Sequence, residues 1–189
     1  MTRLEEAVGF ATKMHAGQKR KLTLLPYILH PLEVAVIVGT ITDDEDIMIA
    51  ALLHDVIEDT PATEEDVENM FGARVLSIVK GETENKYRDL PAASTWKRRK
   101  EESLQVLRES PIEVKILWLA DKLSNIRAMA EKYTKIGDGI FDAFHEKRKS
   151  EHEWYYRTIL DILKDDLGDT FAYKECERLI NLVFEGDKQ

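Results

Sequence analysis

The sequence has few of the residues that typify secreted, loop-rich or membrane-spanning proteins. It contains a single cysteine, Cys176, which excludes an intrachain disulfide framework and fits a reducing compartment. Nine glycines and five prolines among 189 residues disfavour a loop-rich or all-β protein. No apolar run is long enough to span a membrane, and the acidic, amphipathic N-terminus is unlike a secretory signal. We therefore expect a cytoplasmic protein without a membrane partner.

Basic residues are also scarce relative to acidic ones. The chain has 27 Lys and Arg residues against 36 Asp and Glu residues, which gives a net charge of −9. Nonspecific nucleic-acid binding requires a basic surface, so we expect no nucleic-acid partner. A polyanionic small molecule would have to be bound by local basic clusters or by a metal ion. The sequence leaves the oligomeric state open.

Apolar residues recur with the helical period along nearly the whole chain, and no strand pair, repeat or linker is evident. A third helix, capped by Asp43 or Asp44, is predicted to run without interruption to Pro61. Ser110 is predicted to open a capping box at the start of a long helix. The length suits one domain with a sizeable core. The prediction is one all-α domain, residues 1–189, with roughly eight to ten helices.

The most informative segment is the end of the third predicted helix, where an apolar run meets four ionisable residues. His54 and Asp55 are adjacent, and Glu58 and Asp59 follow one turn later. Residues four apart share a helix face, so His54 should stack with Glu58 and Asp55 with Asp59. A cation beside the first pair could touch both side chains, and the second pair could handle an attacking water. The alternative is a helix end with solvated acids, although acids are unfavourable at a helix C-terminus.

Two further residues could complete a metal site. His30 precedes Pro31, which restricts its backbone, and Asp121 lies in the apolar middle of the long helix. An unpaired buried carboxylate is costly, so Asp121 needs a partner, either a basic side chain or the same metal. Two imidazoles and two carboxylates would suit Mn²⁺ or another borderline divalent ion. The absence of cysteine from the set argues against a structural zinc site.

Four motifs follow one another in a familiar order: HAGQKRK at 15–21, PYILHPL at 26–32, HDVIEDT at 54–60 and LADKLSNIR at 119–127. Together they resemble the HD-domain alarmone hydrolases, the (p)ppGpp 3′-pyrophosphohydrolases of the RelA/SpoT type. The chain is most similar to their small single-domain members, over about residues 5–154. The resemblance implies an HD-domain helical bundle. It also implies metal-dependent hydrolysis of the 3′-pyrophosphate of ppGpp or a related purine alarmone, with release of pyrophosphate.

The resemblance also implies roles for individual residues. It implies that Mn²⁺ is bound by His30, His54, Asp55 and Asp121. It implies that Glu58 and Asp59 handle the attacking water, and that Arg20, Lys21 and Asn125 contact a nucleotide substrate. Two departures concern the substrate more than the chemistry. The segment 22–25 lacks a glycine often found there, and Ala128 stands where a hydroxyl residue is common in the long enzymes.

Further cations are candidates for binding the charges of such a substrate. We predict contacts from Lys86, Lys97 and Lys100, the last two because they share a face of one helix. The alternative for that basic run is a solvated helix face. Tyr155 is expected to pack in the core and His152 to lie at the surface. Two other functions stay open, namely an HD phosphohydrolase acting on another nucleotide or phosphoester, and a nucleotide-binding sensor without turnover.

Overall fold

The structure is a computed structural model, and it describes residues 1–84, 87 and 89–186. Within those residues the chain forms α-helices, one 3-10 helix at Gly137–Ala143 and a single isolated β-bridge between Lys19 and Pro26. The α-helices are α1 (Arg3–Met14), α2 (Leu29–Val38), α3 (Glu45–Leu53), α4 (Val56–Asp59), α5 (Glu64–Phe71), α6 (Ala73–Lys80), α7 (Ala92–Glu109), α8 (Ile112–Ile136), α9 (Lys149–Leu167) and α10 (Phe171–Glu185). The predicted all-α fold is confirmed.

Short polar residues fix the starts of several helices. The Thr63 side chain accepts from the Asp66 amide at 3.1 Å, and the Asp66 carboxylate accepts from the Thr63 amide at 2.8 Å. This capping box satisfies two amides that the first turn of α5 leaves without intrahelical partners. Gly72 then ends α5 with a φ of 94°, a conformation that a residue with a Cβ rarely adopts. The chain can therefore turn directly into α6.

The long helix α8 is the axis of the core. It packs against α2, α3, α9 and α10, and most of its side chains between Val114 and Ala130 are buried. Leu117 and Leu123 are among the fully buried side chains, and burying each contributes roughly 1.5–3 kcal/mol. Asp121 lies between them in this apolar stretch. Its carboxylate is therefore held on a rigid support and out of bulk water.

The predicted uninterrupted third helix is wrong at one point. Helix α3 ends at Leu53, and α4 begins at Val56, so His54 and Asp55 occupy a turn between two helices. The imidazole Nδ1 of His54 donates to the carbonyl oxygen of Ala51 at 2.7 Å. In a continuous helix that carbonyl would accept from the amide of Asp55. The side chain competes for this acceptor and loosens the helix where the two residues meet.

The start of α8 also differs from the prediction, and the start of α2 places a proline in the first turn. Helix α2 begins at Leu29, so Pro31 lies in its first turn, where an amide would have no intrahelical partner. Ser110 forms no capping box; its hydroxyl donates to the carbonyl of Val106 at 2.8 Å, and Pro111 is the cap residue of α8. Across the described ranges, no helix has the length and apolarity needed to cross a membrane.

Candidate active site

The four predicted metal ligands lie together where α2, the α3–α4 turn and α8 meet. His30 Nε2 is 3.0 Å from Asp121 Oδ1, and His54 Nε2 is 2.9 Å from Asp55 Oδ2. The crossed distances are 3.8 Å from His30 Nε2 to Asp55 Oδ2 and 3.7 Å from His54 Nε2 to Asp121 Oδ1. His30, His54 and Asp121 each place one donor atom within 4.8 Å of the others. Side chains from three distant segments thus surround one small volume.

The orientation of His54 fits a cation ligand. Its Nδ1 carries the proton that goes to the Ala51 carbonyl, so Nε2 is the atom that faces the cluster. Nε2 is fully buried, and its 2.9 Å contact with Asp55 Oδ2 lacks hydrogen-bond geometry, so it has no hydrogen-bond partner within the part of the chain that the structure describes. Burial lowers the pKa of His54, but the neighbouring charge of Asp55 outweighs it and raises the pKa to about 10. The site therefore favours a positive charge at Nε2, and a divalent ion can take the place of the proton.

Asp121 is surrounded by partners of its own. Asn125 Nδ2 donates to its Oδ1 at 2.7 Å, and Lys122 Nζ forms a short ion pair with its Oδ2. Burial raises the pKa of Asp121, but the adjacent Lys122 ammonium and the two imidazoles hold it well below the usual range. The sequence left open whether a basic side chain or a metal ion compensates this buried acid. The ammonium occupies one oxygen and leaves the other facing the imidazoles.

Lys122 and Glu82 form a largely buried pair that the sequence did not reveal. Lys122 Nζ lies 3.2 Å from Glu82 Oε1 and 4.6 Å from the centroid of the Trp118 ring. Burial raises the pKa of Glu82, and Asp121 raises it further. The second oxygen of Glu82 is buried and has no hydrogen-bond partner among the described residues. The pairing depends on contact between segments 40 residues apart, so no local pattern indicates it.

Tyr27 supports Asp55 from the other side. Its hydroxyl donates a short hydrogen bond to Asp55 Oδ2, and its ring lies between His15 and His30, with centroids 4.8 and 5.7 Å away. Burial and the charge of Asp55 raise the pKa of Tyr27, so the phenol stays a donor. Tyr27 stands three residues before His30 in a motif that the sequence singled out, but nothing in the local pattern assigned it this contact.

The acidic pair predicted to handle water divides between two positions. Glu58 Oε2 accepts from the amide of Glu84 at 3.1 Å, which fixes the direction of its carboxylate. Asp59 lines a cavity beside the predicted metal ligands, and its backbone carbonyl accepts from Gln18 Nε2 at 2.8 Å. Both residues belong to α4, the turn directly after His54 and Asp55. The two acids therefore follow His54 and Asp55 directly, but Asp59 is among the cavity-lining residues and Glu58 is not.

The cavity next to the cluster has a volume of about 620 Å³. His30 and Tyr27 form part of one wall, and this volume falls within the range that small-molecule sites occupy. The remaining walls combine basic and aromatic side chains: Lys19, Arg20, Lys21, Lys100, Lys122, Trp96, Phe144, Tyr155 and Tyr156. Cations bind phosphate oxygens, and aromatic rings pack against a flat base. The lining suits a phosphorylated molecule with a planar ring.

The structure brings four of the six predicted substrate contacts to this cavity: Arg20, Lys21, Lys100 and Asn125. Arg20 Nη2 donates to Asn125 Oδ1 at 3.1 Å, which links the basic loop to α8. Lys97 is not among the lining residues; its Nζ lies 2.9 Å from Glu151 and 3.0 Å from the Trp154 ring centroid. Lys86 lies outside the described residues.

His152 is not at the surface as predicted. It is buried, it lines the cavity, and its ring centroid lies 5.4 Å from that of Trp96 and 5.0 Å from that of Phe144. Its Nε2 bonds to the carbonyl of Glu146 at 2.8 Å. Tyr155 is buried as predicted but also borders the cavity. The aromatic part of α9 therefore serves the core and the cavity wall together.

Residues 7–146 match the family model of the HD domain. The chain is 43% identical over 128 residues to the guanosine-3′,5′-bis(diphosphate) 3′-pyrophosphohydrolase MESH1 of Danio rerio, which covers 66% of this chain and 67% of the relative. It is 33% identical over 193 aligned positions to the guanosine-3′,5′-bis(diphosphate) 3′-pyrophosphohydrolase of Aquifex aeolicus, covering 98% of this chain and 26% of the relative. A GTP pyrophosphokinase of Myxococcus xanthus is 34% identical over 75% of this chain, which is 19% of that protein. The chain thus spans about a fifth to a quarter of the length of these two bacterial relatives.

A solved structure gives the same result. A metazoan orthologue of SpoT that hydrolyses ppGpp superposes with a TM-score of 0.75 at 26% identity. The match covers 96% of this chain and 95% of the orthologue. The resemblance that the four motifs predicted is confirmed.

Proposed function

Since this chain belongs to the HD-domain family, we propose that it is a metal-dependent phosphohydrolase that removes the 3′-pyrophosphate of ppGpp or a related purine alarmone. One observation carries the proposal. The cluster of two imidazoles and two carboxylates lies beside a cavity that has His30 in its wall and that is lined by several basic and aromatic side chains. The relatives named as ppGpp 3′-pyrophosphohydrolases support the choice of substrate. We propose that residues 1–189 act as one domain in the cytoplasm.

The metal in this proposal is Mn²⁺, bound by His30, His54, Asp55 and Asp121. A mixed set of nitrogen and oxygen ligands without sulfur suits Mn²⁺ among the divalent ions. When bound, the ion would activate the attacking water and polarise the phosphoryl oxygen. The two imidazoles already use Nδ1 for other hydrogen bonds, which supports Nε2 as the coordinating atom of each.

Glu58 is the general base in this proposal, and Asp59 orients the water. The amide of Glu84 holds the Glu58 carboxylate in one direction, which lowers the cost of positioning it for proton transfer. Asp59 borders the cavity directly and can accept a hydrogen bond from the water. Attack at the 3′-linked phosphorus breaks the bond to the ribose oxygen and releases pyrophosphate.

In this proposal the basic side chains that line the cavity bind the phosphate groups of the substrate. Arg20, Lys21 and Lys100 line the cavity, and each hydrogen bond from a charged donor contributes about 1.5–3 kcal/mol. Asn125 bonds to both Arg20 and Asp121, so it can hold the nucleotide in register with the metal. Lys86 and Lys97 stay predictions from the sequence, and Lys97 would have to leave Glu151 to reach a substrate.

Product analysis tests the proposal. Purified protein with Mn²⁺ and ppGpp should release pyrophosphate and GDP, and a chelator should stop the reaction. Release of orthophosphate, or activity only on other phosphoesters, would assign the chain to another branch of HD phosphohydrolases. Binding of ppGpp without any turnover would make the chain a sensor. Guanosine and adenosine 3′-pyrophosphates compared in parallel would identify the base.

A further inference from the structure

A chain of side-chain hydrogen bonds runs behind His30, away from the proposed metal. His30 Nδ1 lies 2.9 Å from Ser124 Oγ, and Ser124 Oγ lies 2.7 Å from Glu33 Oε2. Ser124 is fully buried on α8, and Glu33 is one turn after His30 on α2. His30 and Ser124 belong to two of the sequence motifs described above. Neither motif indicates the hydrogen bonds that connect them.

The chemistry of the three groups fixes the direction of the chain. A carboxylate only accepts hydrogen bonds, so the single hydroxyl proton of Ser124 goes to Glu33. The Ser124 oxygen then accepts from His30, which places a proton on Nδ1. The remaining ring nitrogen, Nε2, is the one that lies 3.0 Å from Asp121 Oδ1. The hydrogen bonds behind the ring thus select the tautomer that can coordinate a metal.

Arg127 connects Glu33 to the last helix. Arg127 Nη1 donates to Glu33 Oε1 at 3.1 Å, and its Nε and Nη2 donate to the two oxygens of Glu175 at 3.2 and 2.7 Å. Glu175 belongs to α10, which begins after the segment that matches the HD-domain model. A helix outside that segment is therefore connected to one of the proposed metal ligands.

The other imidazole is supported differently. His54 Nδ1 donates to a backbone carbonyl, which no side-chain substitution removes. The corresponding hydrogen bond of His30 Nδ1 goes to a side chain, the hydroxyl of Ser124. The two histidines provide an internal comparison, because a change at Ser124 or Glu33 should affect one ring and leave the other in place.

We propose that Ser124 and Glu33 are positioning residues that hold His30 in its Nδ1-protonated tautomer and present Nε2 to the metal, with Arg127 and Glu175 anchoring Glu33. The inference concerns the metal site of the proposed function and rests on it only for the presence of a divalent ion. Outer partners of metal-binding histidines typically change metal affinity by about 10–100-fold when removed. The arrangement here predicts an effect of that size from two residues that do not touch the ion.

Metal affinity of the whole protein tests this. Free Mn²⁺ measured by electron paramagnetic resonance should give a dissociation constant about 10–100-fold higher for Ser124→Ala than for the unmodified protein. Glu33→Gln should raise it as well, and Glu175→Gln should raise it less. Ser77→Ala removes an exposed serine on α6 and should leave the affinity unchanged. Ser124→Thr, which keeps a hydroxyl, should recover part of the loss.

A spectroscopic readout separates positioning from simple packing. In Zn²⁺-loaded protein with ¹⁵N-labelled histidine, the proton on His30 Nδ1 should give a protected signal, and Ser124→Ala should lose that signal while the His54 signal persists. Unchanged affinity together with an unchanged His30 signal would overturn the inference. If Ser124→Ala does not fold, Glu33→Gln decides by the same two measurements. Neither readout involves ppGpp, so failure to cleave ppGpp would reject the proposed substrate and leave this inference standing.

Discussion

The two sides of the cavity are built on opposite principles. On one side, His30, His54 and Asp121 are buried, lie on helices or directly at their ends, and each has a second partner that fixes its direction. On the other side, Lys21 is exposed and Arg20 is half-buried, and both belong to a loop between α1 and α2. A rigid side suits chemistry, which needs fixed geometry, and an adaptable side suits recognition of a charged ligand. Changes on the first side should therefore act on the reaction itself, and changes on the second should act on affinity.

The largest effect should come from the metal side. Asp55→Ala removes the carboxylate 2.9 Å from His54 Nε2 and leaves the Tyr27 hydroxyl without its acceptor. We expect loss of stoichiometric Mn²⁺ and loss of hydrolysis below detection, since both depend on the same charge. Metal analysis of the purified variant and the pyrophosphate assay measure this. Turnover that persists in a chelator would contradict the metal-dependent mechanism.

Substitution of Glu58, the acid next to the cluster, should cause a smaller loss of activity. Glu58→Gln keeps the shape of the side chain and removes its basicity, so kcat should fall by about 10²–10⁴-fold while Mn²⁺ binding is retained. The pH dependence of kcat/KM should lose its acidic limb. If the variant instead loses Mn²⁺, Glu58 is a ligand and the division between metal-binding and water-handling residues is wrong.

The recognition side offers a matched pair of lysines on α7. Lys100 lines the cavity, where its Nζ lies 3.0 Å from Glu84 Oε1, whereas Lys97 lies outside the lining and pairs with Glu151 above Trp154. Lys100→Met should raise KM about tenfold with little change in kcat, because one charged hydrogen bond to a phosphate is lost. Lys97→Met should leave KM within error. Steady-state kinetics with ppGpp measures both, and the reverse order of effects would show that Lys97 turns towards the substrate.

The smallest effect should come from a surface cluster remote from the cavity. Arg74 lies 2.6 Å from Asp44 and 2.9 Å from Asp46, and its hydrogen bonds lower the pKa of both carboxyls. Their stabilisation is therefore present above the unfolded carboxyl pKa of about 3.9 and is lost as pH falls through the lower folded values. Arg74→Met should reduce the free energy of unfolding by about 1 kcal/mol at neutral pH.

Urea unfolding at neutral and acid pH checks this. The difference between Arg74→Met and the unmodified protein should disappear in acid, where both carboxyls are protonated in the folded and unfolded states. Hydrolysis at neutral pH should be unchanged. A difference that persists in acid would mean that the arginine acts through packing rather than through charge.

Most of the predicted metal ligands could be recognised from the sequence because they interrupt apolar segments with ionisable side chains. His30, His54 and Asp121 are ionisable residues in apolar surroundings, and burial without partners would be too costly for them. The interruption at His54 was not predictable, because it depends on a side chain that competes with an amide for the Ala51 carbonyl. Glu82 was missed since it lies in the turn after α6 and its partner Lys122 is 40 residues away on α8.

The recognition side was predicted only in part. Lys97 and Lys100 are three residues apart, which places them about 60° apart around the helix axis rather than in line. That angle is enough for Lys97 to contact Glu151 and Trp154 of α9 while Lys100 lies in the cavity wall beside Glu84 and Tyr155. Periodicity can define a face but cannot tell what the neighbouring helix presents to it.

The ammonium of Lys122 changes what the cluster can accept. It balances one of the two charges of Asp55 and Asp121, and burial raises the pKa of Glu82, so the third carboxyl of this region favours its protonated form. A divalent ion in the cluster would lower that pKa, because a nearby positive charge favours the ionised carboxylate. Uptake of the ion is therefore expected to release a proton from Glu82, which offsets part of the added charge.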